Sequence, residues 1–445
     1  MKQYLIIGNG AAGLSAAEAI RQRDPQGRIT IITNEPHLFY SRPGIAYLVL
    51  GEVSEKQLIS RQASFYRENR LELLHAHVVE LNLAQQTISL ENGKRLAYDV
   101  LLLATGSTAV PASFPGGDLQ GVLTFDTLND AREVIKRGRK AKTAVVVGGG
   151  ITALELAEGL RHQGAKTHLL QRGRRIWSRL FDEMESAIIE EQIRHEKIEI
   201  HYHENITEVV GKRGKVASVK LESGASLKCQ VVGVAIGVRP NVGLVNGLPV
   251  NQDQGILVNP YLQSNVPTLF AAGDVAQVYD RWTQAYHLDI LWPSAISEGR
   301  AAGHNMVEIA NGRSPNLSYQ KGTPFNAALL FGVHVTIMGR MGQQVDAGEN
   351  VSHLSRGSSH VWTAPFTTRT QSAWDKKGPH SVRLVVANGR IVGALLMGNQ
   401  ALADPLRDLI EQEIDISEYE ADLFRENGRL PEIILEIYQT KQSGE

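Results

Sequence analysis

The chain has a single cysteine, Cys229, in 445 residues. That scarcity removes whole chemistries. No dithiol–disulfide pair can form within it, and no four-cysteine zinc or iron–sulfur centre can be built. In the stretch SLKCQVVGVAIG the lone thiol reads as a small apolar core filler. Long hydrophobic runs are missing too. No stretch reaches the roughly 18 apolar residues that a transmembrane helix needs, so no membrane insertion is expected. The first strand is expected to begin at about residue 3, in QYLII. That leaves no room for a signal peptide, and a cytoplasmic location is expected. Charge of one sign is not in excess: 46 Lys and Arg face 47 Asp and Glu, a formal net charge of −1. Nucleic-acid binders carry a strong basic surplus, so none is expected as a partner.

What is present is glycine and aliphatic residues, in an α/β pattern. The length exceeds what one hydrophobic core supports, so two or three domains are expected. The chain opens on QYLIIGNGAAGLSAAEAI. A buried strand runs into Gly8, Gly10 and Gly13 in the order G-x-G-x-x-G, with Ala11 and Ala12 between, and then into a helix of small residues. Gly8 permits the tight turn, Gly10 lets a pyrophosphate approach the backbone, and Gly13 allows helix and strand to pack closely. The helix N-terminus offers free N–H groups to the phosphates. A second strand, RITIIT, ends near Asn34 and Glu35, the place for a ribose-binding acid.

The phrase returns as KTAVVVGGGITALELAEGLRHQG. Gly148 and Gly150 take the first two glycine positions, Ile151 and Thr152 follow, and Ala153 stands at the third. The next strand, KTHLLQ, ends at Gln171 with no acid. Arg172, Arg174 and Arg175 come directly after, with Arg179 beyond. Arginines without an acid suit a 2′-phosphate and lean toward NADPH over NADH. The bland reading is a solvated basic turn. Two fingerprints imply two dinucleotides that must meet.

These and later phrases resemble the pyridine nucleotide:FAD oxidoreductases, flavoproteins with two dinucleotide-binding domains. VLLLATGS carries Ala104, Thr105 and Gly106. VVGVAIGVRPN carries Gly237, and TLFAAGDVA carries Gly273 and Asp274. LWPSAISEGRAAGHNM carries Trp292 and Pro293. The resemblance implies that these residues, with Val78, bind cofactor, and that Asp274 holds the ribityl or pyrophosphate part of FAD. It is dense over about residues 2–310. EPHLFYSRPGIAYLVLG is similar to the rubredoxin reductase, ferredoxin reductase and nitrite-reductase flavin-domain branch, and places Arg42 and Pro43 beside the flavin. Pro43 stands where disulfide- and peroxide-reducing relatives have cysteine. Tyr47 stands where oxygenase-coupled ferredoxin reductases have lysine, and Ile151 where many relatives have tyrosine. Glu155 falls at the family position near the nicotinamide. A local helix contact is its plain alternative.

The implied architecture is α/β: two Rossmann-like three-layer domains, for FAD and NAD(P), and a C-terminal α+β interface domain. Expected boundaries are 1–112 and 243–318 for FAD, 113–242 for NAD(P), and 319–445 for the interface domain. The basic stretch from Lys136 to Lys142 reads as a solvated helix end, or else as a docking patch for an acidic carrier. The polar region 350–380 reads as loop and edge strand. Its His353, His360, Trp362 and Trp374 lack metal- or heme-ligand spacing, and no metal is expected. The expected function is an NAD(P)H oxidoreductase that trades electrons with a rubredoxin- or ferredoxin-type carrier or a partner redox subunit, with no disulfide step. Glu155, Arg42 and Pro43 are its candidate catalytic residues. The protein is expected to be a homo-oligomer or a complex subunit. The alternative is a nucleotide-sensing or assembly flavoprotein with little turnover.

Overall fold

The computed structural model describes residues 1–342, 354–425 and 429–443. Two compact units emerge: Met1–Thr108 with Val238–Lys321, and Ala109–Gly237 with Gly322–Glu445. The α/β class and both Rossmann-like sheets are present.

The first unit is built on a five-stranded parallel sheet. Its order is Leu269–Ala271, Val100–Leu103, Gln3–Ile7, Arg28–Thr33 and Leu71–His75. Val100–Leu103 is buried at every position. That is why it reads as a continuous apolar run rather than an alternating one. From Gln3–Ile7 the chain first builds outward on one side and later returns to the other. The carboxyl end of Gln3–Ile7 is therefore a topological switch point, where α/β sheets bind ligands. Helices Ala11–Arg23 and Trp292–Ala310 pack against each other. A Cβ on Gly299 would lie 2.1 Å from the Ala12 carbonyl oxygen, and one on Gly303 would lie 2.4 Å from that of Ala16. The run of small residues in both helices is what lets their backbones touch.

The second unit repeats the plan. Its parallel sheet runs Glu199–Tyr202, Lys166–Gln171, Thr143–Val147, Val231–Val234, Val122–Leu123. The carboxyl end of Thr143–Val147 is its switch point. The same unit holds an antiparallel sheet in the order Phe325–Leu330, Val333–Gly339, Arg390–Met397, His380–Ala387, Gln371–Lys377. Asn388 and Gly389 turn the hairpin with φ of +50° and +69°, the backbone a two-residue primed turn requires. Helices Ala403–Glu411 and Leu430–Ser443 close its core through Leu406, Leu409, Ile433 and Ile434. Gln371–Lys377, with exposed Trp374, is an edge strand, and residues 364–370 are loop. His353, with the rest of 350–353, lies outside the described residues. Lys136 and Arg137 both pair with Glu133 on their own helix, which neutralises part of that basic stretch.

A buried ion pair fastens the antiparallel sheet to the helix Glu183–His195. Arg383 Nε donates to Glu185 Oε1 at 2.8 Å and its NH2 donates to the Leu180 carbonyl at 2.6 Å. The two side chains are 1% and 0% exposed. Burial pushes the Glu185 carboxyl up to about 7, against the opposing pull of Arg383. Removing one member strands the other charge. Arg383→Met is expected to cost about 3–5 kcal/mol in chemical denaturation, and Arg383→Met with Glu185→Leu to recover most of it. Equal losses in the single and double variants would contradict this.

Candidate functional site: two dinucleotide cradles

The first cradle follows strand Gln3–Ile7. Gly8 has φ +120°, and a Cβ there would lie 2.0 Å from the Ala104 carbonyl oxygen. A Cβ on Gly13 would lie 2.0 Å from the Gly8 carbonyl oxygen. Neither position admits a side chain. Around Gly10 the space is open, with nothing within 4 Å of an added Cβ. Gly10 caps helix Ala11–Arg23, whose first turn holds Ala11, Ala12 and Gly13 and has no acid. Its N–H groups and positive dipole end face the opening. Tyr66 OH donates to Asn9 Oδ1 at 3.0 Å and steadies the turn. Sequence reasoning did not single out Tyr66.

The ribose end is more elaborate than the sequence shows. Asn34 is exposed. Glu35 accepts from Tyr40 OH at 2.7 Å and pairs with Arg42 NH2 at 2.5 Å. The expected ribose acid and the expected flavin-side arginine therefore hold each other. Pro43 is exposed in the turn before helix Ile45–Val49. Val78 is buried in the core of the first unit.

The A-T-G segment and the returning chain are clamped together. Thr105 Oγ1 donates to the Asn241 carbonyl at 2.9 Å, and Asn241 Nδ2 donates to the Thr105 carbonyl at 2.8 Å. The Asn241 N–H donates to the Gly106 carbonyl at 2.9 Å. Asp274 Oδ2 accepts from Ser107 Oγ at 2.6 Å. The Gly273 N–H donates to Glu298 Oε2 at 2.7 Å. Burial pushes the Glu298 carboxyl up to about 8. Glu298 was not singled out from the sequence; the signal was an acid set in the small-residue stripe of EGRAAG. Trp292 stacks near Phe39, with ring centroids 5.6 Å apart. Trp292 and exposed Pro293 open helix Trp292–Ala310, whose first turn holds no acid. Lys321, 2% exposed, sits 3.0 Å from Asp289 and 3.9 Å from Asp280.

The second cradle follows Thr143–Val147. A Cβ on Gly148 would lie 2.1 Å from the Ala235 carbonyl oxygen. Gly150, Ile151 and Thr152 begin helix Ile151–His162. Gln171 Nε2 donates to the Gly148 carbonyl at 2.7 Å, so Gln171 holds the turn itself. Gly237 accepts from the Val110 N–H at 2.9 Å. A cavity of about 440 Å³ opens here, bordered by Gly148, Gly150, Gln171, Arg172, Arg179 and Ala235. That volume suits a small-molecule site. Arg172 and Arg179 reach the cavity. Arg175 does not border it and instead turns toward the Ser178 carbonyl, 3.5 Å away. Glu155 lies one turn into the helix. Burial first, then Glu158 beside it, pushes its carboxyl up to about 8.

Among the described residues, His168, Glu199 and His201 also bring ligand-type atoms within 4.8 Å of one another. His168 Nδ1 is 2.9 Å from His201 Nε2 and 3.1 Å from Glu199 Oε2. One proton on Nδ1 satisfies both contacts, so the cluster stands as a hydrogen-bonded group.

Two switch-point cradles, each with a glycine turn and a helix N-terminus, define a two-dinucleotide oxidoreductase. The chain belongs to the pyridine nucleotide-disulphide oxidoreductase family, whose sequence model matches residues 2–287. It is 26% identical over 421 residues to a nitrite reductase [NAD(P)H] of Bacillus subtilis, covering 94% of this chain and 48% of that protein. The chain thus spans about half the length of that relative. It is 30% identical over 365 residues to the NADH-dependent phenylglyoxylate dehydrogenase subunit epsilon of Aromatoleum evansii, covering 82% and 85%. The fold matches a ferredoxin reductase from Rhodopseudomonas palustris with a TM-score of 0.82 at 22% identity, covering 97% and 99%. Family and cradles agree on FAD and NAD(P)H as the two dinucleotides.

Asp274→Ala is expected to release FAD on gel filtration, and full retention of flavin would remove Asp274 from the FAD site. Glu298 is neutral below about pH 8 and gains a negative charge above it, beside a site for an anionic pyrophosphate. FAD affinity is therefore expected to fall as pH rises through about 8, and Glu298→Gln to flatten that dependence in flavin-release titrations.

Proposed function

We propose that the protein is an FAD-dependent NAD(P)H oxidoreductase that passes electrons between a nicotinamide nucleotide and a redox carrier protein or partner redox subunit. The observation that carries this reading is two complete dinucleotide cradles in a chain with no dithiol. The one thiol, Cys229, is fully buried, and burial pushes it up to about 12. It is inert at neutral pH and far from thiolate character. Electrons must therefore leave from the flavin itself.

When bound, FAD supplies the capacity to take a hydride and release electrons singly. The chain's own residues supply binding and orientation. The first unit holds FAD through the Gly8–Gly13 turn, Glu35, the 104–106 segment and Asp274. The N-terminus of helix Trp292–Ala310 offers free N–H groups and a positive dipole end to negative charge on the flavin. The second unit holds the nicotinamide nucleotide at Gly148–Thr152, with Arg172 and Arg179 at the adenosine end. We retain the division at 113–242 for the NAD(P) domain, and a C-terminal interface domain from 319. Glu155, neutral at pH 7, adds no charge beside the nucleotide.

The relatives support the nicotinamide half of the reading: one is named for NAD(P)H, the other as an NADH-dependent subunit. The second name is that of a subunit, which supports a partner subunit for this chain. No observation favours a sensing role without turnover. Among the described residues no helix is long and apolar enough to cross a membrane.

The reading predicts NAD(P)H-dependent reduction of a rubredoxin- or plant-type ferredoxin carrier that is retained in Cys229→Ala. Loss of turnover in that variant would contradict it. Arg172→Ala and Arg179→Ala are expected to weaken NADPH by about tenfold each, as for a lost charge-assisted phosphate bond, with little change for NADH. Equal effects on both nucleotides would remove the 2′-phosphate assignment.

A further inference from the structure

The two cradles differ at one atom's place. The second glycine of each fingerprint keeps room for a pyrophosphate against the backbone. At Gly10 that room is open, with nothing within 4 Å of an added Cβ. At Gly150 an added Cβ would lie 1.8 Å from Ser355 Oγ and 2.8 Å from Ser355 Cβ. A serine hydroxyl thus fills the space that the second glycine leaves free. Rotating the Ser355 side chain moves Oγ but leaves Cβ where it is. Clearing the site requires the backbone of this segment to move.

The segment is tied down at several points, all within the second unit. The guanidinium of Arg356 pairs with nearly buried Asp126. Asn326 Nδ2 donates to the Gly357 carbonyl at 2.8 Å. Ser358 Oγ donates to the Ser355 carbonyl at 2.5 Å. Gly357 lies against Ile151, whose Cγ2 would be 3.9 Å from a Cβ added there. Further on, Trp362 is 1% exposed and donates from Nε1 to the Pro324 carbonyl at 3.2 Å. Ser355, Ser358 and Ser359 border the same cavity as Gly150 and Arg172. A strap anchored at Trp362 and latched at Arg356 therefore crosses the mouth of the glycine turn.

We propose that residues 355–358 are an internal gate on the nicotinamide-nucleotide site. Ser355 occupies the pyrophosphate place, and NAD(P)H enters only by displacing it and breaking the Arg356–Asp126 latch. The gate rests on reading the second cradle as the nicotinamide site. It offers a route to regulation: anything that competes for Arg356 or Asp126 speeds nucleotide entry. Because the contested place is the pyrophosphate's, the gate acts on NADH and NADPH alike, and choice between them stays with the arginines.

The test uses FAD-loaded protein, anaerobic, with NADH and NADPH as probes in rapid mixing and equilibrium titration. Ser355→Gly removes both intruding atoms, and Arg356→Gln cuts the latch without touching the cradle. Each is expected to raise the association rate constant and lower Kd by about threefold or more for both nucleotides, the scale of one modest ion pair released. Ser355→Thr, which keeps the place filled, is expected to match the wild type or bind more weakly. A gain of affinity is a readout that mere structural damage would not produce. Unchanged binding in Ser355→Gly, with the wild type binding well, would overturn the gate and leave the nicotinamide site standing. Weaker binding in Ser355→Gly would overturn it in favour of Ser355 as a phosphate ligand. Failure of the wild type and every variant to bind either nucleotide would overturn the reading of the cradle, and the gate with it.

Discussion

The arrangement depends on a backbone crossing too tight for any side chain. In each unit the strand that opens the fingerprint ends in a glycine pressed against a carbonyl of the neighbouring strand's end. The pairs are Gly8 with Ala104 and Gly148 with Ala235, at 2.0 and 2.1 Å from an added Cβ. This contact bends the chain at the switch point and aims the following helix N-terminus into the opening. Everything a dinucleotide needs there follows from it: bare N–H groups, a positive dipole end and room for phosphate. The third position shows how local the demand is. Gly13 is boxed in by the Gly8 carbonyl, whereas the second cradle accommodates Ala153, its Cβ 3.0 Å from the one that Gly148 lacks. The second turn is the looser of the two, and it is the one Ser355 enters.

Charge is handled differently in the two units. The first carries acids close to its cofactor cradle and keeps them from accumulating as bare charge. Glu298 is held neutral by burial, Asp289 is matched by Lys321, and Glu35 by Arg42. An anionic cofactor can be bound tightly only if that balance holds. The second unit instead presents Arg172 and Arg179 at its cavity. Its buried pair, Arg383 with Glu185, fastens the antiparallel sheet to the dinucleotide-binding sheet's own helix.

Much of this was legible in the sequence, for physical reasons. Continuous apolar runs such as VLLL and AVVV mark strands buried on both faces, and glycines at fixed spacing mark turns that no other residue can make. The Asn388–Gly389 pair and the apolar spacing of Leu402, Leu406, Leu409 and Ile410 carry the same kind of signal, for a hairpin and a helix. What was not legible came from tertiary contact. Nothing in the spacing of Glu35 and Arg42 says that they pair. Arg175 follows the strand only three residues after Arg172, yet the loop turns it away from the cavity. Ser355 lies in a polar stretch with no periodicity, about 200 residues from the glycine it covers. Contacts made only in the folded chain, Arg356 with Asp126 and Asn326 with the Gly357 carbonyl, hold it there.

The central claim is that two nucleotides exchange electrons directly in this chain, with no thiol between them. The most direct measurement is anaerobic rapid mixing of the FAD-loaded protein with a nicotinamide nucleotide while the flavin absorption is followed. The claim predicts rapid bleaching of the oxidised-flavin band, without the long-wavelength band of a thiolate–flavin pair. An unbleached spectrum with FAD plainly bound and nucleotide saturating would contradict it.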